Sequence, residues 1–173
     1  MLQGNSLDGR YYFTDSSYDG LTKRFTLSSG LGMLTDGRLA NEDFTVNNGL
    51  GWIGWNIIET PQPYIKFHFL SERIFNSATF HCNVKDQTRI KLFSKVEISF
   101  SKNGNEFDTL QDYEPKEISS PLSSTNHNIT IDLCRRVGKS LMFNFTYSGQ
   151  WILISEVTFN SGKFKELIIT RIK

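Results

Sequence analysis

Period-two alternation of apolar and polar side chains is the feature that most restricts how this chain can fold. Val96, Ile98 and Phe100 alternate with Lys95, Glu97, Ser99 and Ser101, and Asn103-Gly104 follows as a hairpin turn. The same pattern recurs at Ile65, Phe67 and Phe69, at Phe80, Cys82 and Val84, and at Ile129, Ile131 and Leu133. It appears again at Leu141, Phe143, Phe145 and Tyr147. Side chains on a strand point alternately to opposite faces, so each stretch predicts a strand with one face buried. No stretch of ten or more residues shows the 3.6-residue period of an amphipathic helix. The predicted fold is therefore all-β, a sandwich of short strands with a jelly roll as its leading form. The Ser-, Pro- and acid-rich stretch from Asp108 to Asn126 is expected to be a long surface loop. The tail, residues 162–173, reads as either a last strand or a linker.

At 173 residues the chain fits one domain, taken as residues 1–173, with enough core to fold without an obligatory metal or disulfide. Fourteen phenylalanines suit a sheet-on-sheet core. Nineteen Lys and Arg against eighteen Asp and Glu, spread rather than clustered, argue against nucleic acid as a partner. No apolar run is long enough to span a membrane. The opening Met1-Leu2-Gln3-Gly4-Asn5 lacks the apolar stretch of a signal peptide, so a signal belonging to a longer parent would lie upstream. Asn128-Ile129-Thr130 and Asn144-Phe145-Thr146 are glycosylation acceptor patterns, which lean the expectation towards an extracellular setting.

Two short acidic elements stand out, 120 residues apart. Gly30-Leu31-Gly32-Met33-Leu34-Thr35-Asp36-Gly37-Arg38 carries three glycines and one carboxylate, and reads as a tight loop with carbonyls free to point inward. Glu156 interrupts Trp151-Ile152-Leu153-Ile154-Ser155-Glu156-Val157-Thr158-Phe159, which is otherwise apolar on both faces, and a buried carboxylate needs a partner. If the fold joins loop and strand, Asp36, Glu156 and loop carbonyls form an oxygen-only cluster suited to a hard cation such as Ca²⁺. The competing account is a surface aspartate and a strand glutamate bonded to backbone amides, and the residues alone leave both open.

Catalysis has little support. His68, His81 and His127 read as surface histidines on outer strand faces or in a loop, and His81 and Cys82 point to opposite faces and cannot chelate together. No phosphate-cradling glycine loop and no Gly-x-Ser-x-Gly turn is present. Trp52 and Trp55 would serve either as a sugar-stacking platform or, as favoured here, as core packing at a strand start.

Asp15-Ser16-Ser17-Tyr18-Asp19-Gly20, then Gly30 to Gly37, Asp43-Phe44, Gly54-Trp55, His81-Cys82-Asn83 and Gly149-Gln150-Trp151 through Phe159 recur in this order in discoidin domain receptors. From about residue 11 to 161 the chain resembles their second extracellular module, the discoidin-like domain between the collagen-binding discoidin domain and the juxtamembrane segment. The resemblance implies an eight-stranded jelly roll with a calcium site. That site would use the Asp36 and Glu156 side chains and mainly main-chain oxygens of Met33, Arg38 and Ser155. Leu50 and Trp52 occupy further positions whose carbonyls could join the ion, although the family carries tyrosines there and this chain does not. The family's cysteine partner for Cys82 falls at Phe143 here, so the expectation is a relocated bridge from Cys82 to Cys134. An acceptor asparagine common in the family is Thr14 in this chain.

The function so implied is a non-enzymatic, Ca²⁺-bearing extracellular module of a collagen-responsive, single-pass receptor tyrosine kinase. It would support a neighbouring discoidin domain and contact a receptor dimer partner. Collagen and matrix would be met indirectly, and the membrane only through the parent chain, which would also carry the kinase. The alternative is a discoidin-fold lectin or matrix-binding module that holds glycan or protein directly in its loops.

Overall fold

The computed structural model describes residues 6–23, 26–116 and 123–163. Its strands are β1 (Ser6–Leu7), β2 (Tyr11–Tyr12), β3 (Leu21–Lys23), β4 (Thr26–Ser28), β5 (Ile53–Asn56), β6 (Tyr64–Val84), β7 (Phe93–Ser101), β8 (Asp108–Tyr113), β9 (Thr125–Tyr147) and β10 (Trp151–Lys163). Two 3₁₀ turns, Met33–Thr35 and Asp86–Thr88, are the only helical elements among the described residues. None is long and apolar enough to cross a membrane.

Six strands form one antiparallel sheet in the order β5-β10-β6-β9-β7-β8, while β1-β2 and β3-β4 make small hairpins beside it. Strands β6 and β9 run to 21 and 23 residues, each fusing two of the alternating stretches seen in the sequence. Bulges between His68 and Arg73 and between Phe75 and Ser77 bend β6, so its first half pairs with the second half of β9 and its second half with the first. The sheet thereby curls over on itself into two layers. Counting the halves of β6 and β9 separately, with β5, β7, β8 and β10, gives the eight strands of a jelly roll.

Ring contacts across the curl define the core. Phe80, in the second half of β6, lies 5.0 Å from Phe143 and 6.2 Å from Phe93, and Phe67, in its first half, lies 4.9 Å from Phe159 on β10. Each buried phenylalanine stabilises the fold by about 1.5–3 kcal/mol through the water it excludes. A second cluster, Leu7, Phe13, Phe44, Trp52, Ile90, Trp151 and Leu153, sits on the other side of β10. Gly54 makes room for it, since a Cβ there would meet Phe13 Cβ at 2.8 Å. Strand β10 is thus buried on both faces, with Ile152 and Ile154 towards the main core and Trp151 and Leu153 towards the second. That is why its sequence is apolar without alternation.

One expectation needs correction here. Asp108–Tyr113 is not loop but strand β8, paired antiparallel with β7 across a bulge between Ile98 and Ser99 after the Asn103-Gly104 turn, and β9 begins at Thr125 inside the other end of the expected loop. Residues 117–122 lie outside the described residues, as does the tail beyond Lys163, while Gly162 and Lys163 themselves belong to β10.

Candidate metal centre

The site begins with one extra residue in β10. Ile154 is paired with Cys82 of β6, but Glu156, not Ser155, is paired with His81, so Ser155 forms a bulge. A bulge shifts the alternation by one. Val157 returns to the main core beside Phe80, and Glu156 turns to the opposite face with His81 and Trp52 instead of entering the phenylalanine core. The bulge also lies just past the end of β5, whose last rung is Ile154 with Ile53. The β10 edge there is covered by the loop that the glycine-rich segment forms.

That loop is anchored at both ends. Gly37 N–H donates to Glu156 Oε2 at 3.2 Å, and Ala40 N–H reaches Ser155 Oγ at 3.5 Å. Arg38 N–H donates to Asp36 Oδ1 at 2.8 Å. Behind the loop, Asp15 is 5% exposed and accepts from Met33 N–H at 3.0 Å and from the amide and hydroxyl of Ser17. Asp19 Oδ1 accepts from Leu31 N–H at 2.7 Å. Gly32 lies against the Asp15 carboxylate, where a Cβ would come within 2.0 Å of Oδ2. Its φ of −169° is extended, so close approach, not backbone freedom, requires glycine. The Asp15 buttress was not predicted as part of the site. Its signal was the Asp-x-Ser pattern, in which a short carboxylate binds the amide two residues on.

Electrostatics sets Glu156 apart. It is 4% exposed, and burial pushes its carboxyl up to about 7, opposed by the Gly37 amide and reinforced by the Asp36 charge. Among the described residues its second oxygen, Oε1, carries no hydrogen bond. Asp36 is exposed at the rim of an open cleft of about 420 Å³ lined by Ser17, Asp19, Leu31, Thr35 and Arg38. The structure thus brings Met33, Asp36, Arg38, Ser155 and Glu156 to one place across 120 residues of sequence. Among the described residues no group of three His, Cys, Asp or Glu side chains could hold a metal. Two carboxylates with main-chain oxygens fit a hard cation and would not suit a soft one.

Carrying the β5–β10 register one step beyond Ile53 sets Trp52 beside Ser155, and Gly51 packs against Ala40. Leu50 is exposed, and its carbonyl accepts from Asn47 Nδ2 at 3.2 Å. Trp52 and Trp55 are buried to within 1%, in agreement with core packing and not with a sugar platform. His81 is a correction, since it is buried, not on the surface. It stacks on Trp52 at 5.6 Å and 15°, Nδ1 bonds Asn128 Oδ1 at 2.8 Å, and Nε2 has no partner among the described residues. His68 bonds Ser140 Oγ, and half-buried His127 bonds Thr125 Oγ1.

The disulfide expectation is also corrected. Cys82 is buried and Cys134 exposed, and both are free. Cys82 is paired with His127, and Cys134 lies seven residues further along β9. That separation is about 20 Å, whereas a disulfide needs Cα atoms within about 7 Å. Of the two acceptor asparagines, Asn128 is exposed and Asn144 half-buried on the central strand β9.

A family model described as "Discoidin domain-containing receptor 1/2, DS-like domain" matches residues 1–161. Epithelial discoidin domain-containing receptor 1 of Rattus norvegicus is 27% identical over 92% of this chain, and discoidin domain-containing receptor tyrosine kinase B of Caenorhabditis elegans 31% identical over 92%. The chain spans 18% and 20% of the length of these two relatives. Among solved structures, the C-terminal domain of a chitobiase from Bacteroides fragilis matches with TM-score 0.53 and 8% identity, over 78% of this chain and 83% of that one. A fucose-binding module from Streptococcus pneumoniae matches with TM-score 0.52 and 14% identity, over 76% and 84%. At such identities these two show the fold alone.

Proposed function

Because this chain belongs to the discoidin domain-containing receptor family, as its DS-like domain, we propose that it is an extracellular, non-catalytic module held rigid by one Ca²⁺. Asp36 and Glu156 supply the carboxylates, and Met33, Arg38 and Ser155 supply main-chain oxygens. The positions of Leu50 and Trp52 flank the same edge. The observation that carries this reading is Glu156, a carboxylate 4% exposed with one oxygen on the Gly37 amide and the other without a hydrogen bond among the described residues. A cation there would neutralise the two charges and tie the glycine loop to β10. Its role in a longer receptor would be to fix the orientation of a neighbouring collagen-binding domain and of a receptor dimer partner, with the membrane span and kinase elsewhere in that parent. Burial of Trp52 and Trp55 removes the stacking surface that a direct lectin role would use.

Thermal unfolding of this chain in calcium and in chelator tests the reading. A bound ion at 100 times its Kd stabilises by about 2.7 kcal/mol. Calcium should therefore raise the melting temperature, magnesium should substitute poorly, and Glu156→Gln should remove the difference. Identical melting curves with no metal on elemental analysis would leave Asp36 and Glu156 as ordinary hydrogen-bonded carboxylates.

A further inference from the structure

We propose that the far end of the sandwich, seven residues along β10 from Glu156, is a docking strip for a sulfated polysaccharide. Strand register assembles it. Arg136 of β9 lies opposite Phe75 of β6, and Arg73 of β6 lies opposite Lys163 of β10. Directly paired residues share a face, as do residues two apart on one strand, so Arg136, Arg73 and Lys163 point to the same side. Arg136 and Lys163 are exposed and are separated by two strand spacings across the sheet and two residues along it, about 12 Å. Between Asp132 and Arg136, β9 has no rung with β6, and Cys134 and Arg135 both take positive φ, 53° and 57°. This bulge presents Arg135 to solvent beside Arg136.

None of Arg135, Arg136 and Lys163 makes an ion pair or side-chain hydrogen bond among the described residues. Arg73 is already oriented. Its Nε donates to Ser161 Oγ at 2.8 Å and its Nη2 to Ser161 O at 3.1 Å, its guanidinium lies 5.8 Å over the Phe69 ring, and among the described residues Nη1 has no partner. The nearby Asp132 carboxylate is engaged by Cys134 N–H at 2.8 Å. Cations laid across three strands, exposed on the outer two and half-buried on the middle one, suit a linear polyanion better than a small anion, which would need a concave pocket. Guanidinium forks bind oxyanions such as sulfate through paired N–H bonds. The choice of polysaccharide over nucleic acid rests on the extracellular reading above, but the strip does not involve the cation loop.

The test is titration of this chain with a heparin octasaccharide at 0.15 M salt, where surface charges are screened beyond about 8 Å, repeated in calcium and in chelator. Binding is expected in both. Arg135→Ala with Arg136→Ala should weaken it about tenfold, and Lys163→Ala should weaken it as well, so that one misfolded variant does not decide the matter. Removing two charges elsewhere, through Arg10→Ala with Lys23→Ala, should change affinity less than about twofold. Absence of binding at that salt would overturn the proposal. So would equal loss in the Arg10 and Lys23 variant, equal affinity for a DNA duplex of matched charge, or binding to anionic phospholipid vesicles but not to the octasaccharide. Binding in chelator that weakens in the Arg135 and Arg136 variant and in the Lys163 variant, but not in the Arg10 and Lys23 variant, would uphold the strip even if the calcium reading fell.

Discussion

Glu156 is a residue whose behaviour should change sign with its partner. Without metal, burial and the Asp36 charge favour the protonated form, raising its carboxyl to about 7. A carboxyl raised in the folded state binds its proton there more tightly than in the unfolded chain. Metal-free stability should therefore fall as pH rises from the ordinary carboxylate range through about 7, and melting in chelator across that window should show the trend in the wild type and not in Glu156→Gln. The glutamine still accepts from Gly37 N–H, so in chelator the variant should be at least as stable as the wild type. Gly32→Ala forces a methyl group onto the Asp15 carboxylate. It should cost about 1–3 kcal/mol and weaken calcium-dependent stabilisation, both readable from the same melting series. The cysteines provide a separate check. A thiol reagent should label exposed Cys134 in the native protein and reach Cys82, whose thiol burial pushes well up, only after unfolding.

At the level of elements, β10 links core to site. Its first residues are clamped between β5 and β6, and a bulge of one residue redirects the next two to the loop. The glycine loop has no regular ladder of its own. It is held by Asp15, Asp19 and Gly20 on one side and by Ser155 and Glu156 on the other. A loop tied mainly by side-chain acceptors opens at lower free energy than the strands beneath it. Amide exchange at Leu31, Met33 and Gly37 should accordingly be faster than at Ile152 to Ile154, and calcium should slow the loop amides selectively.

For the whole molecule, the curl makes the two layers one cooperative unit. The rings of Phe80, Phe93 and Phe143 come from three different strands, so no half of the sandwich keeps a core without the other. Phe80→Ala should destabilise by about 3–5 kcal/mol. It should leave a single transition in which tryptophan fluorescence and far-ultraviolet dichroism coincide. A split between the two signals would mean that the layers unfold separately.

Residue order by itself determined the strand class, because period-two alternation is a local consequence of a one-sided core and needs no knowledge of partners. It also supplied both halves of the candidate site, since a three-glycine loop and a carboxylate within an apolar run each violate a local rule. What only the tertiary structure decided were long-range registers. Strand β8 was hidden in a polar, acid-rich stretch because an edge strand paired on one side need not alternate cleanly. The fusion of separate stretches into β6 and β9 depended on bulges that local pattern does not mark. His81 shares the outward parity of Thr79 and Asn83 and is buried where Trp52 is folded over it. The spacing of Cys82 and Cys134 in sequence did not reveal that register holds them apart along one strand pair. The bulge at Ser155, on which the site turns, left no trace in β10 because both faces of that strand are apolar and a shift of one residue preserves the pattern.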